Sequence, residues 1–306
     1  MHPVRGILLK LCSVVILVVM SSIIKSVSDE IPPGEAVFFR SFFAIPVILV
    51  WVILRRELRS GLRIKSPMAH VWRGGIGTCA MGFYFAGLGM LPLPEVTAIG
   101  YAAPLMVVIL AAIFLGEKIR AFRITAVVVG LVGVLIVLSP RLSGFGNVAD
   151  SRGQMGAIVV LTGALFVAIS QVVLRRIVDT EGTAAIVFYY SITASVLSFL
   201  TFPFGWVMPD PKMFAMLVLA GLMGGVGQIF LTTSYRHADV SMIAPFDYAS
   251  MILALLIGYF VFDEVPTLVM LSGAFLVILA GVMIIWREHQ LGLQRAKQRK
   301  AATPGG

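Results

Sequence analysis

The chain has 306 residues, of which 59% are hydrophobic and only 13% charged, with a formal net charge of +9 and a mean hydropathy of +0.98. Soluble globular domains carry about 45–50% apolar and about 25% charged residues, so this composition excludes an ordinary soluble domain and reads as a polytopic membrane protein. The positive charge does not read as a nucleic-acid surface, because Lys and Arg fall in short connections between apolar runs and in the C-terminal tail.

A helix needs about 20 apolar residues to cross the hydrocarbon core. Ten segments qualify in chain order: 6–25, 34–54, 69–90, 94–115, 121–139, 156–174, 184–206, 213–234, 240–262 and 267–286. The first lacks a small-x-small cleavage site and precedes nine more, so it reads as a span rather than a signal peptide. Lys25 closes it and is expected to snorkel to the interface. The second follows "IPPGE" and holds Arg40, six residues in, where it can snorkel or face a pore and meet an anionic group. The third carries Gly74, Gly75, Gly77 and Gly82, although each glycine costs a helix interior up to about 1 kcal/mol relative to alanine. The fourth opens on Glu95 after "LPLPE", and Glu117 and Glu264 shortly precede the fifth and tenth. All three acids are expected to complement positive helix ends. After the fifth, residues 140–155 form the one connection long enough for a hinge between halves. The sixth and eighth hold Gln171 and Gln228, the ninth holds Asp247, and a basic tail fills 291–306. Cys12 and Cys79 both lie in apolar runs, which supports no disulfide and no metal site.

The basic residues also set an orientation. With spans alternating, 19 of the 24 Lys and Arg fall on the side of the N-terminus and tail, and five (Lys25, Arg40, Arg141, Arg152, Lys212) fall on the other. By the positive-inside rule both termini are expected in the cytoplasm, with the chain multi-pass in the cell (inner) membrane.

The chain also repeats itself. Counting 147 residues forward from Gly74, Gly77 and Phe83 reaches Gly221, Gly224 and Phe230, and the same step carries Tyr101-Ala102 onto Tyr248-Ala249 and Glu117 onto Glu264. With one residue inserted, "GVLIV" at 133–137 falls on "GVMII" at 281–285. Five spans per unit is an odd number, so the halves 1–145 and 146–290 are expected to cross the membrane in opposite senses. The expected fold class is therefore an all-α membrane protein of ten transmembrane helices in two inverted five-helix repeats, the arrangement of many secondary transporters.

The 5+5 organisation, the stretch "AAPLMVVILAAIFLGEKI" and the glycine-rich third and eighth spans resemble the drug/metabolite transporter superfamily, EamA type. The Gly116-Glu117 signature reads Asp263-Glu264 in the second half, and Ala103-Pro104 has become Ser250-Met251, with Pro245 placed to supply a bend instead. The resemblance implies a central cavity between halves and alternating access. Members importing riboflavin or S-adenosylmethionine are similar in flavour over "EAVFFRSFF" and "HVWRGG".

No phosphate loop, no His-Glu-x-x-His and no paired acidic motif is present, so neither ATP-driven pumping by this chain nor a cofactor is expected. Asp247 is the sharpest residue: an acid inside a span costs at least ~2.5–3.5 kcal/mol at the bilayer centre and should face a cavity or a partner. It reads either as a structural acid near Pro245 or as a protonatable or substrate-binding group. The expected substrate site is Tyr101, Tyr248, Asp247, Gln171, Gln228 and Arg40, with Gly74, Gly77, Gly221 and Gly224 as helix-packing positions. The expected function is a secondary transporter, best exemplified by import of a vitamin-like aromatic metabolite such as riboflavin. A broad exporter of amino acids or drugs is the alternative within transport, and a membrane-embedded enzyme on lipid-linked substrates the alternative outside it. Its partners are then the bilayer and a small solute, with a homo-oligomer left open.

Overall fold

The computed structural model describes residues 3–57, 61–115, 121–142, 151–177, 180–237 and 244–302. Every regular element among the described residues is helical. Six segments are long and apolar enough to cross a membrane; three shorter apolar helices and the glycine-rich Pro67–Leu88 make ten. We number them as spans: 1, Pro3–Val27; 2, Pro33–Phe42 and Ala44–Leu54; 3, Pro67–Leu88; 4, Leu93–Gly100 and Ala102–Leu115; 5, Ala121–Leu142. The second five are 6, Ser151–Ile177; 7, Thr183–Phe199; 8, Pro211–His237; 9, a 3-10 turn at Ala244–Tyr248 and then Ala249–Phe262; 10, Leu268–Ala302.

Three spans are broken, and two of the breaks have a covalent cause. Pro46 and Pro104 each lie three residues beyond an interruption, at Phe43 and Tyr101. A proline there removes the bond to the carbonyl four residues back and crowds it, so the helix restarts instead of continuing. Span 9 changes from a 3-10 turn to α-helix at Tyr248, the residue matched to Tyr101 in the 147-residue register.

Boundaries differ from expectation in three places. Span 7 ends at Phe199, not 206, because Pro203 turns the chain into a short 3-10 helix and Gly205 takes φ +93°, which glycine adopts without steric penalty. Span 10 does not stop at the tail but continues to Ala302, through a Gln-, Lys-, Arg- and Ala-rich stretch of strong helix formers. The connection expected at 140–155 is shorter, since span 5 runs to Leu142 and span 6 begins at Ser151.

Packing explains Gly74, Gly77, Gly221 and Gly224, while Gly82 faces open space. Span 1 lies along span 8 and span 3 along span 6, while span 2 packs on spans 7 and 8, span 3 on span 7, span 4 on span 9 and span 5 on span 10. A Cβ on Gly74 would sit 2.6 Å from Thr193, and one on Gly77 would sit 2.5 Å from Tyr190 and 3.3 Å from Ser170. A Cβ on Gly221 would sit 2.5 Å from Phe43, and one on Gly224 would sit 2.9 Å from Arg40 Nε and 3.2 Å from Met20. Span 3 therefore uses its glycines against spans 6 and 7, and span 8 uses the matched ones against spans 1 and 2. Lipid supplies no hydrophobic drive between helices, so such close approach is what holds them.

Spans 5 and 10 meet more closely still. A Cβ on Gly133 would lie 2.8 Å from the Gly273 carbonyl oxygen, and one on Gly273 would lie 2.6 Å from that of Gly133. Backbone cannot yield as a side chain can, so Gly133→Ala or Gly273→Ala should cost at least the ~1–3 kcal/mol of ordinary overpacking. Thermal unfolding of the detergent-solubilised variants checks this; a Tm within error of wild type for both would show the spans free to part.

Polar ties join the halves at both ends. Lys25 does not snorkel: its Nζ pairs with Glu264 at 3.0 Å and donates to the Leu88 and Leu91 carbonyls, which end span 3. Glu264 also accepts from Leu93 N–H at 2.8 Å, so it caps span 4 rather than span 10. Glu95 pairs with Arg141 at 3.0 Å, and Glu117 lies outside the described residues. At the opposite end, Glu181 accepts from the amides of Lys65 and Ser66 and lies 3.6 Å from His70. Burial pushes its carboxyl up, but those two amides and His70 pull it below the ordinary carboxylate range. Stability from this tie is present above the unfolded pKa and is lost as pH falls through the lower folded one.

Candidate functional site

Two polar clusters lie inside the bundle. The first forms where the spans break. Asp247, in the 3-10 turn of span 9, places its carboxylate 2.7 Å from Lys10 Nζ of span 1. The lysine is 1% exposed and the aspartate 48%, so one side of the pair is enclosed and the other is open. Tyr101 Oη lies 2.7 Å from Ser250 Oγ and donates to the Asp247 carbonyl at 3.3 Å, while Ser250 donates to that carbonyl at 2.6 Å. The Tyr101 and Tyr248 rings meet edge to face at 5.1 Å. The break in span 4 is thereby bonded to the break in span 9. Tyr101→Phe removes one such hydrogen bond, at about 1 kcal/mol, and should lower Tm measurably without changing expression.

The second cluster lies between spans 1, 2, 3, 7 and 8. Arg40, 5% exposed, sits against Met20 and Gly224. Arg73, 7% exposed, lies with Cζ 4.8 Å from the centre of the Tyr190 ring. The Tyr190 hydroxyl donates to the Gly77 carbonyl at 3.3 Å. Arg40 Nε and Arg73 Nε and Nη1 are buried with no hydrogen-bond partner among the described residues. An arginine at bilayer depth costs at least ~2.5–3.5 kcal/mol, and a ring face repays only ~1–2 of it.

The structure thus joins Asp247, Tyr101 and Tyr248 in one cluster and puts Arg40 in another. Gln228 is half-buried in span 8, its carbonyl accepting from Thr232, and Gln171 is exposed on span 6. Lys10, Arg73 and Tyr190 are the residues that sequence reasoning missed. Lys10 and Arg73 counted only as orienting charges, although each lies several residues inside its helix, which is the signal that was available.

The profile of the EamA-like transporter family matches residues 4–139 and again 154–286. The chain belongs to the EamA-like transporter family. It is a multi-pass membrane transporter, as that family and its relatives are. The Pseudopaline exporter CntI of Pseudomonas aeruginosa (strain UCBPP-PA14) is 27% identical over 91% of this chain and 95% of its own. An S-adenosylmethionine uptake transporter of Rickettsia felis is 28% identical over 84% of each. A solved crystal structure superposes with a TM-score of 0.67 over 94% of this chain and 98% of its own at 20% identity, a likeness of fold. For this EamA-like chain, relatives named for export and for uptake both lie near 27–28% identity, so resemblance does not choose a direction.

Proposed function

We propose that this chain is a secondary carrier that moves a small metabolite by alternating access, with the matched halves as an inverted repeat and both termini in the cytoplasm. The observation that carries the reading is the Lys10–Asp247 pair: a buried base of the first half held by a half-exposed acid of the second, beside two helix breaks. Charged groups inside spans mark solute or ion pathways, and discontinuous helices are how transporters place backbone polar groups at such sites. The exchanged packing supports the repeat: span 3 meets span 7 as span 8 meets span 2, and span 1 meets span 8 as span 6 meets span 3. In the carrier, Asp247 is the group that binds solute or proton, and Lys10 is the partner it leaves or regains.

Two solutes come first. S-adenosylmethionine is suggested by the uptake relatives, and it carries a flat base together with charged groups. Riboflavin is favoured by Tyr101 and Tyr248, since aromatic faces pair with other π-systems for ~0.5–1.5 kcal/mol. Tyr101 is only 7% exposed and spends one edge on Tyr248, so a flat solute reaches it only in another conformation of the carrier. Purified protein in liposomes preloaded with unlabelled solute should accumulate labelled S-adenosylmethionine or riboflavin by counterflow. Chemical conversion of either without movement would instead favour an enzyme. For orientation, a cysteine at Asp210 should label from outside intact cells and one at Lys65 only after permeabilisation, in a background with Cys12 and Cys79 replaced.

A further inference from the structure

Among the described residues, four bases inside the bundle are matched by acids and two are not. Lys10 has Asp247, Lys25 has Glu264, Arg141 has Glu95 and His70 has Glu181. Arg40 and Arg73 have no carboxylate among the described residues, and three of their nitrogens are enclosed with no acceptor. They enter from opposite ends. Arg40 is the eighth residue of span 2 and Arg73 the seventh of span 3, each about 10 Å along its helix at 1.5 Å per residue. In a hydrocarbon core about 30 Å thick, that leaves a gap which two extended arginine side chains can close. Span 2, which carries Arg40, packs on span 7, which carries Tyr190 with Arg73 over its ring.

Two buried guanidiniums with unpartnered nitrogens, and no carboxylate against either among the described residues, call for an anionic acceptor. We propose that Arg40, Arg73 and Tyr190 form a binding site for one oxyanion group, carboxylate or phosphate, of the transported solute. The proposal rests on the carrier reading above and adds the solute's charge class. The guanidinium fork offers paired N–H donors that match a carboxylate or phosphate edge, and Arg73 lies over the Tyr190 ring at 4.8 Å. The glycines give the site its mobility. Gly77 fits against Tyr190 and Gly224 against Arg40, so rocking of spans 3 or 8 changes the distance between the groups that hold the anion. The site is separate from Lys10 and Asp247, where charge is already balanced.

The test uses the full chain in nanodiscs of zwitterionic phosphatidylcholine, in a chloride buffer, with benzoate and phenyl phosphate as probes. Saturable elevation of Tm by either probe is expected, and the probe that acts distinguishes carboxylate from phosphate. Arg40→Gln and Arg73→Gln should each weaken the apparent affinity at least tenfold. Arg73→Lys, which keeps the charge and loses the fork, should also weaken it and guards against a Gln variant that fails to fold. Lys212→Gln, which removes an exposed cation outside either cluster, should bind the probes as wild type does. No shift from either probe, or equal shifts in the arginine variants, overturns the site. Counterflow run in parallel separates the two readings: solute exchange without arginine-dependent binding removes this inference alone. Arginine-dependent binding without any exchange of benzoate, phenyl phosphate, S-adenosylmethionine or riboflavin supports the site and removes the carrier reading.

Discussion

Asp247→Asn should abolish net solute movement while leaving the protein in the membrane. The substitution keeps the shape of the side chain and removes the charge that faces Lys10 at 2.7 Å. Lys10 then remains, 1% exposed, as a buried cation facing a neutral amide in place of the carboxylate. Breaking a fully buried pair costs about 3–5 kcal/mol; because Asp247 is half exposed, the loss here should be nearer ~2–3 kcal/mol once solvent screening is allowed for. A double variant, Lys10→Met with Asp247→Leu, removes both charges and should regain most of that stability, as apolar replacements of buried pairs do. It should not regain transport. The contrast is the informative part, because a purely structural pair predicts recovery of both. Wild-type rates in vesicles carrying Asp247→Asn at every pH would make the acid structural.

Gly77→Leu and Gly224→Leu should also reach the membrane and fail to cycle. Leucine at 77 must displace the Tyr190 ring, and leucine at 224 must displace Arg40 and Met20. Each therefore opposes one approach: span 3 to span 7, or span 8 to spans 1 and 2. Both approaches are made in this structure; in an inverted repeat their loosening is expected in opposite states, so the two variants should bias the carrier oppositely. A cysteine near Tyr101, probed from each side of sealed vesicles, reads the difference. Equal accessibility in both variants would leave the glycines as packing positions only. Their effect on stability should be similar in size, since overpacking costs about 1–3 kcal/mol at either place.

Depth along the chain was legible, and facing was not. Apolar runs and proline-rich connections located all ten spans, because the bilayer imposes a length on each. Pro104 marked the break beside Tyr101, and the 147-residue register pointed to its counterpart at Tyr248. What a run of letters lacks is the rotation of one helix against another. Lys25 was assigned to the interface because it closes its span; its acid, Glu264, comes from the far half of the chain. Arg73 looked like a flanking charge of a basic loop, and only the contact with Tyr190 shows it turned inward. Asp247 was identifiable because an acid inside a span is conspicuous, whereas its partner Lys10 counted, with Arg5, only toward the charge of the N-terminal side.

The crossing of Gly133 and Gly273 has a mechanical consequence. Two backbones in contact, flanked by the stiff β-branched Val137 and Val277, have few rotamers to exchange and hence a nearly fixed separation. Such a point behaves as a pivot. A lever arm of two helix diameters is about 20 Å, so a rotation of about 10° there displaces the far helices by roughly 3.5 Å. That far displacement is about the width of a hydrogen bond, enough to make or break a polar contact while the pivot itself barely moves. Spans 5 and 10 would thus serve as the bearing of the machine, and their glycines would set its play.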